Sequence, residues 1–264
     1  MTIRNSICAI FLLLVTSLSA NGADLISLNT RSGVEQKFIL MTPDSPKASV
    51  ILFAGGKGAL SLSSLFGSPK MNWGKNNFLV RTRDLFVKHG FQVAVVDAPS
   101  DKQSKRGMLD GFRDSREHVE DIDHVINYLR EKVSAPVWLV GTSRGTESAT
   151  NIAIYSKQDL DGLVLTSSMS VENGGGTAVT EMELDNIKIP TLIVGNTDDA
   201  CRKTPPEGSN EIAGMLVHSK KVEVKMFSGG DTPTSKPCQA MSYHGFLGIE
   251  SEVVSYISNF IKSN

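Results

Sequence analysis

Six short apolar runs, interleaved with segments of helical periodicity, constrain this chain more than any other feature. The runs are Ser49 to Ala54, Phe91 to Ala98, Val137 to Val140, Gly162 to Ser167, Thr191 to Val194 and Val222 to Phe227. A strand wetted on one face alternates apolar and polar residues, whereas these are apolar nearly throughout, so both of their faces are covered. Between and after them Phe78 to Lys88, Phe112 to Lys132, Thr146 to Lys157, Glu211 to His218 and Ile249 to Lys262 read as helices. In the second of these, Phe112, Val119, Ile122, Val125, Ile126 and Leu129 fall mostly on one side, and the charges between them face water. This order predicts an α/β chain with a mainly parallel sheet and helices on both faces. Gln36 to Thr42 is expected to add a leading edge strand.

The N-terminus carries Arg4, an apolar stretch from Ile7 to Val15, then small and polar residues up to Ala23 ahead of the first acid, Asp24. That is the layout of a secretory signal, with cleavage between Ala20 and Ala23. The apolar stretch is too short to span a bilayer, which takes about 20 residues. Residues 1–23 are therefore expected to be a signal peptide and residues 24–264 one domain, secreted or periplasmic and without integral membrane association. Removing Arg4 takes the formal charge from -1 to -2. A near-neutral chain without a cationic cluster among aromatics gives no support to a nucleic-acid partner. With Cys8 inside the signal, Cys201 and Cys238 remain, and an even number in an exported protein predicts a disulfide.

In an open parallel sheet, ligands gather beyond the carboxyl ends of the strands. The strand ending at Val140 is followed by Gly141-Thr142-Ser143-Arg144-Gly145 and then by a helix. With 23 Gly in 264 residues, a G-x-S-x-G arises by chance in roughly one such chain in five, so its flanks and partners must carry the reading. A turn tight enough to push a serine hydroxyl clear of the backbone leaves no room for side chains two residues either side, hence the glycines. A serine hydroxyl becomes a useful nucleophile only beside an imidazole, itself held by a carboxylate. His244, in Tyr243-His244-Gly245 ahead of the last helix, is the expected base. The acid is Asp198 or Asp199. Counting nine residues from Pro190 reaches Asp199, the preferred acid, and counting three from Gly195 reaches Asp198, which would otherwise anchor the loop.

An oxyanion needs preorganised amide donors. The Arg144 N–H, directly after the serine, is one candidate. The other lies in Gly55-Gly56-Lys57-Gly58, with the Lys57 amide preferred and Gly56 next. A phosphate loop is excluded because Gly58, not Ser or Thr, follows Lys57. His118 and His124 are six apart on one helix, not at the i, i+4 spacing of a helical metal pair, and neither a metal nor a cofactor is expected. Cys201 stands two residues after Asp199 and Cys238 six before His244, so their bond would tie the acid loop to the base loop. Ser61 to Asn77 and Pro99 to Gly111 are expected to roof the site, with Trp73, Met108 and Phe112 as candidate walls of an acyl pocket. Lys57, Arg113 and Arg144 are candidates for meeting a substrate carboxylate.

With glycine loop, serine turn, ordered acid and late His-Gly in place, the chain resembles the α/β-hydrolase superfamily over nearly all of residues 24–264, especially small exported members near the dienelactone hydrolase and prolyl-peptidase-like branches. The resemblance implies the α/β-hydrolase fold, Ser143 as nucleophile, His244 as base, Asp199 as acid and the Lys57 and Arg144 amides as oxyanion donors. It departs from many relatives in having Gly195-Asn196 where they place His-Gly. Ser170 to Ile189 is too short for an inserted cap, so no separate cap domain is expected. The implied activity is cleavage of a small-molecule carboxylic ester through an acyl-enzyme. A peptide or amide substrate is the near alternative, and a catalytically silent fold used for binding is the distant one.

Overall fold

The computed structural model describes residues 22–264. The expected signal, residues 1–23, lies outside the described residues apart from its last two, and Ala23 already opens the first strand. In chain order the strands are β1 (Ala23–Arg31), β2 (Val34–Met41), β3 (Ala48–Phe53), β4 (Leu62–Leu65), β5 (Ser68–Met71), β6 (Phe91–Val96), β7 (Val137–Thr142), β8 (Gly162–Thr166), β9 (Thr191–Asn196) and β10 (Val222–Phe227). The helices are α1 (Phe78–Lys88), α2 (Arg116–Lys132), α3 (Gly145–Tyr155), α4 (Gly208–Met215) and α5 (Glu250–Ser263).

Eight strands form one sheet in the order β1-β2-β6-β3-β7-β8-β9-β10. β1 and β2 are antiparallel to their neighbours, and every other pairing is parallel. Because successive side chains of a strand point to opposite faces, β3 divides its run between two cores. Val50 and Leu52 join Phe78, Phe86, Val253 and Ile257 of α1 and α5 on one face. Ile51 and Phe53 join Ile122, Ile126, Ala149 and Ile152 of α2 and α3 on the other. All six residues of β3, β6, β7 and β9 are buried, in keeping with their mainly apolar composition.

One expectation is corrected. The strand expected at Gln36 to Thr42 is β2, but β1 pairs outside it and takes the edge. β1 is half-wetted and mixes Leu25, Ile26 and Leu28 with Asp24, Asn29 and Arg31, so it lacks the continuous apolar signal of the inner strands. The hairpin β4–β5 is also unforeseen. It lies in the segment read as roof. Asp97, at the end of β6, roots it by accepting hydrogen bonds from the amides of Leu60 (2.6 Å), Ser61 (3.2 Å), Leu62 (2.8 Å) and Ala98 (2.8 Å). Between β8 and β9 the chain passes through two single-turn 3-10 segments, Val179–Glu181 and Leu184–Asn186, rather than an inserted domain. Among the described residues no helix is long and apolar enough to cross a membrane.

Candidate active site

Ser143 stands on the turn from β7 into α3 with φ of 52°, in the left-handed region, a conformation that costs a non-glycine residue about 1–3 kcal/mol. Its neighbours show why the chain accepts that. A Cβ on Gly145 would sit 2.0 Å from the Phe53 carbonyl oxygen, and one on Gly141 would sit 2.5 Å from the Gly145 oxygen. A side chain at Gly145 would push the turn off β3, and one at Gly141 would push the first turn of α3 off β7. The turn is pinned by Ser143 N–H donating to the Thr166 carbonyl (3.0 Å) and by the Thr146 hydroxyl donating to the Ser143 carbonyl (2.6 Å).

His244 comes to the same end of the sheet on a short 3-10 turn, Tyr243–Gly245, ahead of α5. It is 4 % exposed. Its carbonyl accepts from the Ser167 hydroxyl at 2.8 Å. Arg81 of α1 clamps the same loop, donating to the Gly245 carbonyl at 2.6 Å and pairing with Glu250 at 2.8 Å. His244 Nδ1 lies 2.8 Å from Asp199 Oδ2. A buried carboxylate on Nδ1 keeps the proton on that nitrogen and leaves Nε2 with a free lone pair. Thr204 completes the group by donating to Asp199 Oδ2 at 2.9 Å, while Asp199 Oδ1 accepts from the Cys201 amide at 2.9 Å. Both oxygens of Asp199 are therefore engaged. Asp198 makes no hydrogen bond to the imidazole among the described residues and accepts from the Gly229 amide at 2.6 Å. Of the two aspartates, Asp199 is the one brought to His244, and Asp198 ties the loop to the end of β10.

The Cys201 and Cys238 sulfurs are at bonding distance, 2.08 Å. The bond joins the segment after Asp199 to the segment before His244. Cys238 also lines the cleft.

Ser143 and His244 share a cleft of about 620 Å³ with Gly55, Gly56, Trp73 and Asn77. Ser143 Oγ rests 3.9 Å from the Met169 sulfur, a weak acceptor that releases a hydroxyl at little cost. A second cleft of about 430 Å³, lined by Lys47, Trp138 and Pro190, lies at the amino ends of the strands, away from these groups.

The glycine loop is held from beneath by Arg113. This buried guanidinium donates to the carbonyls of Ala54 (2.9 Å) and Gly56 (3.2 Å) and to the Ser148 hydroxyl (2.7 Å). In a trans peptide the carbonyl and the following N–H point opposite ways. With the Gly56 carbonyl drawn onto Arg113, the Lys57 N–H points away from that guanidinium; Gly56 lines the cleft, whereas the side chains of Lys57 and Arg144 do not. The amides of Gly56, Lys57 and Arg144 make no hydrogen bond to protein within the described residues. Burial pushes Arg113 down to about 10, which leaves it protonated at neutral pH. Burial also pushes Glu147 of α3 up to about 7, against the pull of Arg113 and of Arg144, whose guanidinium is 3.1 Å away.

Several expected roles move. Arg113 and Arg144 cannot meet a substrate carboxylate, because the first is spent on the loop beneath and the second on Glu147 and Asn173. Lys57 Nζ lies 5.4 Å from the Trp73 ring centroid. Trp73 lines the cleft, but Met108 and Phe112 pack with Ala59 and Ala98 in a separate small core. Of the two roof segments, Ser61 to Asn77 supplies Asn72 to Asn77 to the cleft, while Pro99 to Gly111 borders a different depression beside Arg31. Thr204, Arg81 and the supporting role of Arg113 went unseen in the sequence. They carry no motif: Arg81 and Arg113 act across the fold, mainly on backbone carbonyls, and Thr204 acts within its own loop on Asp199.

No family model matches the chain, and no curated protein matches it. Solved structures do. An esterase from Pyrococcus furiosus superposes with a TM-score of 0.65 at 14 % identity, covering 91 % of this chain and 92 % of that one. A cold-adapted esterase from an Arctic intertidal metagenomic library gives 0.58 at 16 %, covering 89 % and 92 %. A soluble variant of monoglyceride lipase from Saccharomyces cerevisiae gives 0.65 at 10 %, covering 94 % and 97 %. The strand order, the sharp turn after β7 and these superpositions over most of the chain agree on one architecture, and the chain has the α/β-hydrolase fold.

Proposed function

We propose that the chain is an exported serine hydrolase that cleaves carboxylic esters through an acyl-enzyme. The observation that carries this reading is the buried Asp199–His244 pair opening onto the same cleft as Ser143, which stands on a left-handed turn. As substrate fills the cleft, Ser143 Oγ turns from the Met169 sulfur to His244 Nε2 and attacks the carbonyl carbon while Nε2 takes its proton. Asp199 holds the Nδ1 proton and stabilises the imidazolium. The Lys57 and Arg144 N–H groups receive the oxyanion; the Arg113 bond to the Gly56 carbonyl favours Lys57 over Gly56 as the loop's donor, and each such donor is worth about 3 kcal/mol of barrier. His244 then returns the proton to the leaving alcohol, and water repeats the sequence to release the acid. Cys201–Cys238 keeps the acid and base loops in register. The N-terminal signal layout supports export.

The names of the structural neighbours favour an ester over an amide. Matched p-nitrophenyl esters and p-nitroanilides, with an aminopeptidase substrate beside them, test this. Specificity constants at least a hundredfold higher on the esters are expected, and equal or higher constants on the amides would overturn the ester assignment.

A further inference from the structure

The hairpin β4–β5 ends in a two-residue loop, Phe66-Gly67, set by the pairing of Leu65 with Ser68. Both loop residues are left-handed, with φ of 50° and 82°, the geometry for which hairpins use Asn, Asp or Gly. Phe66 suits it badly, since a bulky side chain at positive φ is strained. It gains nothing in exchange within the molecule, being 99 % exposed, with Leu65 beside it at 51 %. Neither folding nor packing accounts for an aromatic at this position.

Its surroundings point to what does. The foot of the hairpin is fixed by the amides of Leu60, Ser61 and Leu62 donating to Asp97 and by Asn72 and Trp73 N–H donating to the Leu60 carbonyl, both at 3.1 Å. At 3.3 Å per residue, the tip stands about 10 Å beyond that foot. The chain leaves β5 directly into Asn72 and Trp73, which line the catalytic cleft. Trp73 is 38 % exposed and lies beneath the Lys57 ammonium. No acid occurs between Asp44 and Asp84, a stretch that holds Lys57, Lys70 and Lys75. Glu35, which shares a shallow groove with Ser61 to Ser63, is matched by Lys37 at 3.7 Å.

We infer that the Leu65–Phe66 tip docks the protein on an anionic lipid surface, with Trp73 at the headgroup level and the cleft mouth turned toward the membrane. Two apolar side chains on a two-residue loop offer far less than the roughly 800 Å² per partner of a stable protein interface. Shallow, reversible insertion into the acyl boundary scales with the apolar area buried plus the attraction of nearby cations to anionic lipid, and a small apolar tip backed by lysines supplies both. Docking itself is independent of the hydrolase reading. The substrate class it implies, esters of lipid-borne acyl chains, rests on that reading.

The test uses Ser143→Ala protein and sedimentation with vesicles of phosphatidylcholine alone or with about one-third phosphatidylglycerol. Binding to the anionic vesicles is expected, weakening roughly tenfold in Phe66→Asn and roughly fivefold in Lys70→Gln. Because asparagine suits the turn, Phe66→Asn should melt no lower than its parent. In protein retaining Ser143, the same substitution should leave hydrolysis of dissolved p-nitrophenyl acetate unchanged while slowing hydrolysis of a vesicle-embedded acyl ester. Absence of vesicle binding, or binding indifferent to Phe66, overturns docking, as does a Phe66-dependent dimer in sedimentation equilibrium, which would assign the tip to self-association. Vesicle binding that depends on Phe66, in a protein that hydrolyses no ester of either kind, upholds docking and removes the hydrolase reading alone.

Discussion

Replacing Asp199 by asparagine keeps the shape of the acid and changes one hydrogen-bonding atom, so its effect can be worked out atom by atom. Asp199 Oδ1 accepts from the Cys201 amide, and Oδ2 accepts from His244 Nδ1 and the Thr204 hydroxyl. An asparagine NH2 placed on the Cys201 side would set donor against donor in a buried site, at a cost of about 1–3 kcal/mol. The amide therefore puts its oxygen toward Cys201 and its NH2 toward His244. Nδ1 must then accept, which moves the ring proton to Nε2, where it faces Ser143 and blocks proton abstraction. A wrong tautomer of this kind lowers kcat by about four orders of magnitude, or roughly 5.4 kcal/mol of barrier. Asp198→Asn keeps an acceptor for the Gly229 amide and should stay within about tenfold of the parent. Initial rates on p-nitrophenyl butyrate, with melting temperatures to confirm folding, check both. Equal losses in the two variants, or more than a tenth of the activity left in Asp199→Asn, would refute the assignment of the acid.

Arg113→Met strips the carbonyls of Ala54 and Gly56 of their buried donor, and kcat should fall by about 10²-fold with KM little changed, since the oxyanion loop rather than the substrate loses its support; a change confined to KM would count against this. Glu147 has its pKa raised by burial from 4.5 to about 7. The folded state thus binds a proton more tightly than the unfolded one, and stability falls as pH rises from about 4.5 to 7 and stays low above it. Glu147→Gln should remove that loss, gaining up to about 3 kcal/mol at pH 8 and nothing near pH 4 in urea unfolding; a gain independent of pH would contradict it. His118 is the reverse case, with both ring nitrogens lacking a protein partner and burial holding its pKa down at about 3. Its depressed pKa means stability present above pH 6.5 is lost toward pH 3, and His118→Phe should flatten the acid limb of the melting curve. Reducing Cys201–Cys238 should lower turnover at temperatures where the far-UV signal is still native, because the loop-closing bond, worth about 4 kcal/mol, spans the acid and base loops; activity lost only on unfolding would contradict that.

The inner strands and the order of the layers were legible because burial on both faces leaves β3, β6, β7 and β9 mostly apolar, with polar residues only at scattered positions such as Ser49, Gln92, Thr142 and Asn196, a pattern that survives without any alignment. α1 begins and ends where its apolar spacing does. β1 and the β4–β5 hairpin were not legible, since an edge strand and a two-stranded ribbon need bury only part of their length and mix polar with apolar residues. The serine turn announced itself through sterics, as Gly141 and Gly145 have no substitute where backbone lies 2.0–2.5 Å from a would-be Cβ. Spacing favoured Asp199 as the partner of His244 without excluding Asp198, because loop register depends on bonds such as Gly229 N–H to Asp198 and Cys201 N–H to Asp199 that no local pattern encodes. Arg113 read as a candidate for a substrate carboxylate because its place beside the expected cleft says nothing of its burial. It is buried because three acceptors converge on it from β3, the glycine loop and α3.

Fluorophosphonate labelling of the native protein and of Ser143→Ala tests the central claim most directly. One equivalent should attach to Ser143 at neutral pH, vanish in Ser143→Ala and slow by orders of magnitude in His244→Ala. A native protein that stays unlabelled, or one whose labelling survives the loss of Ser143, would contradict the account.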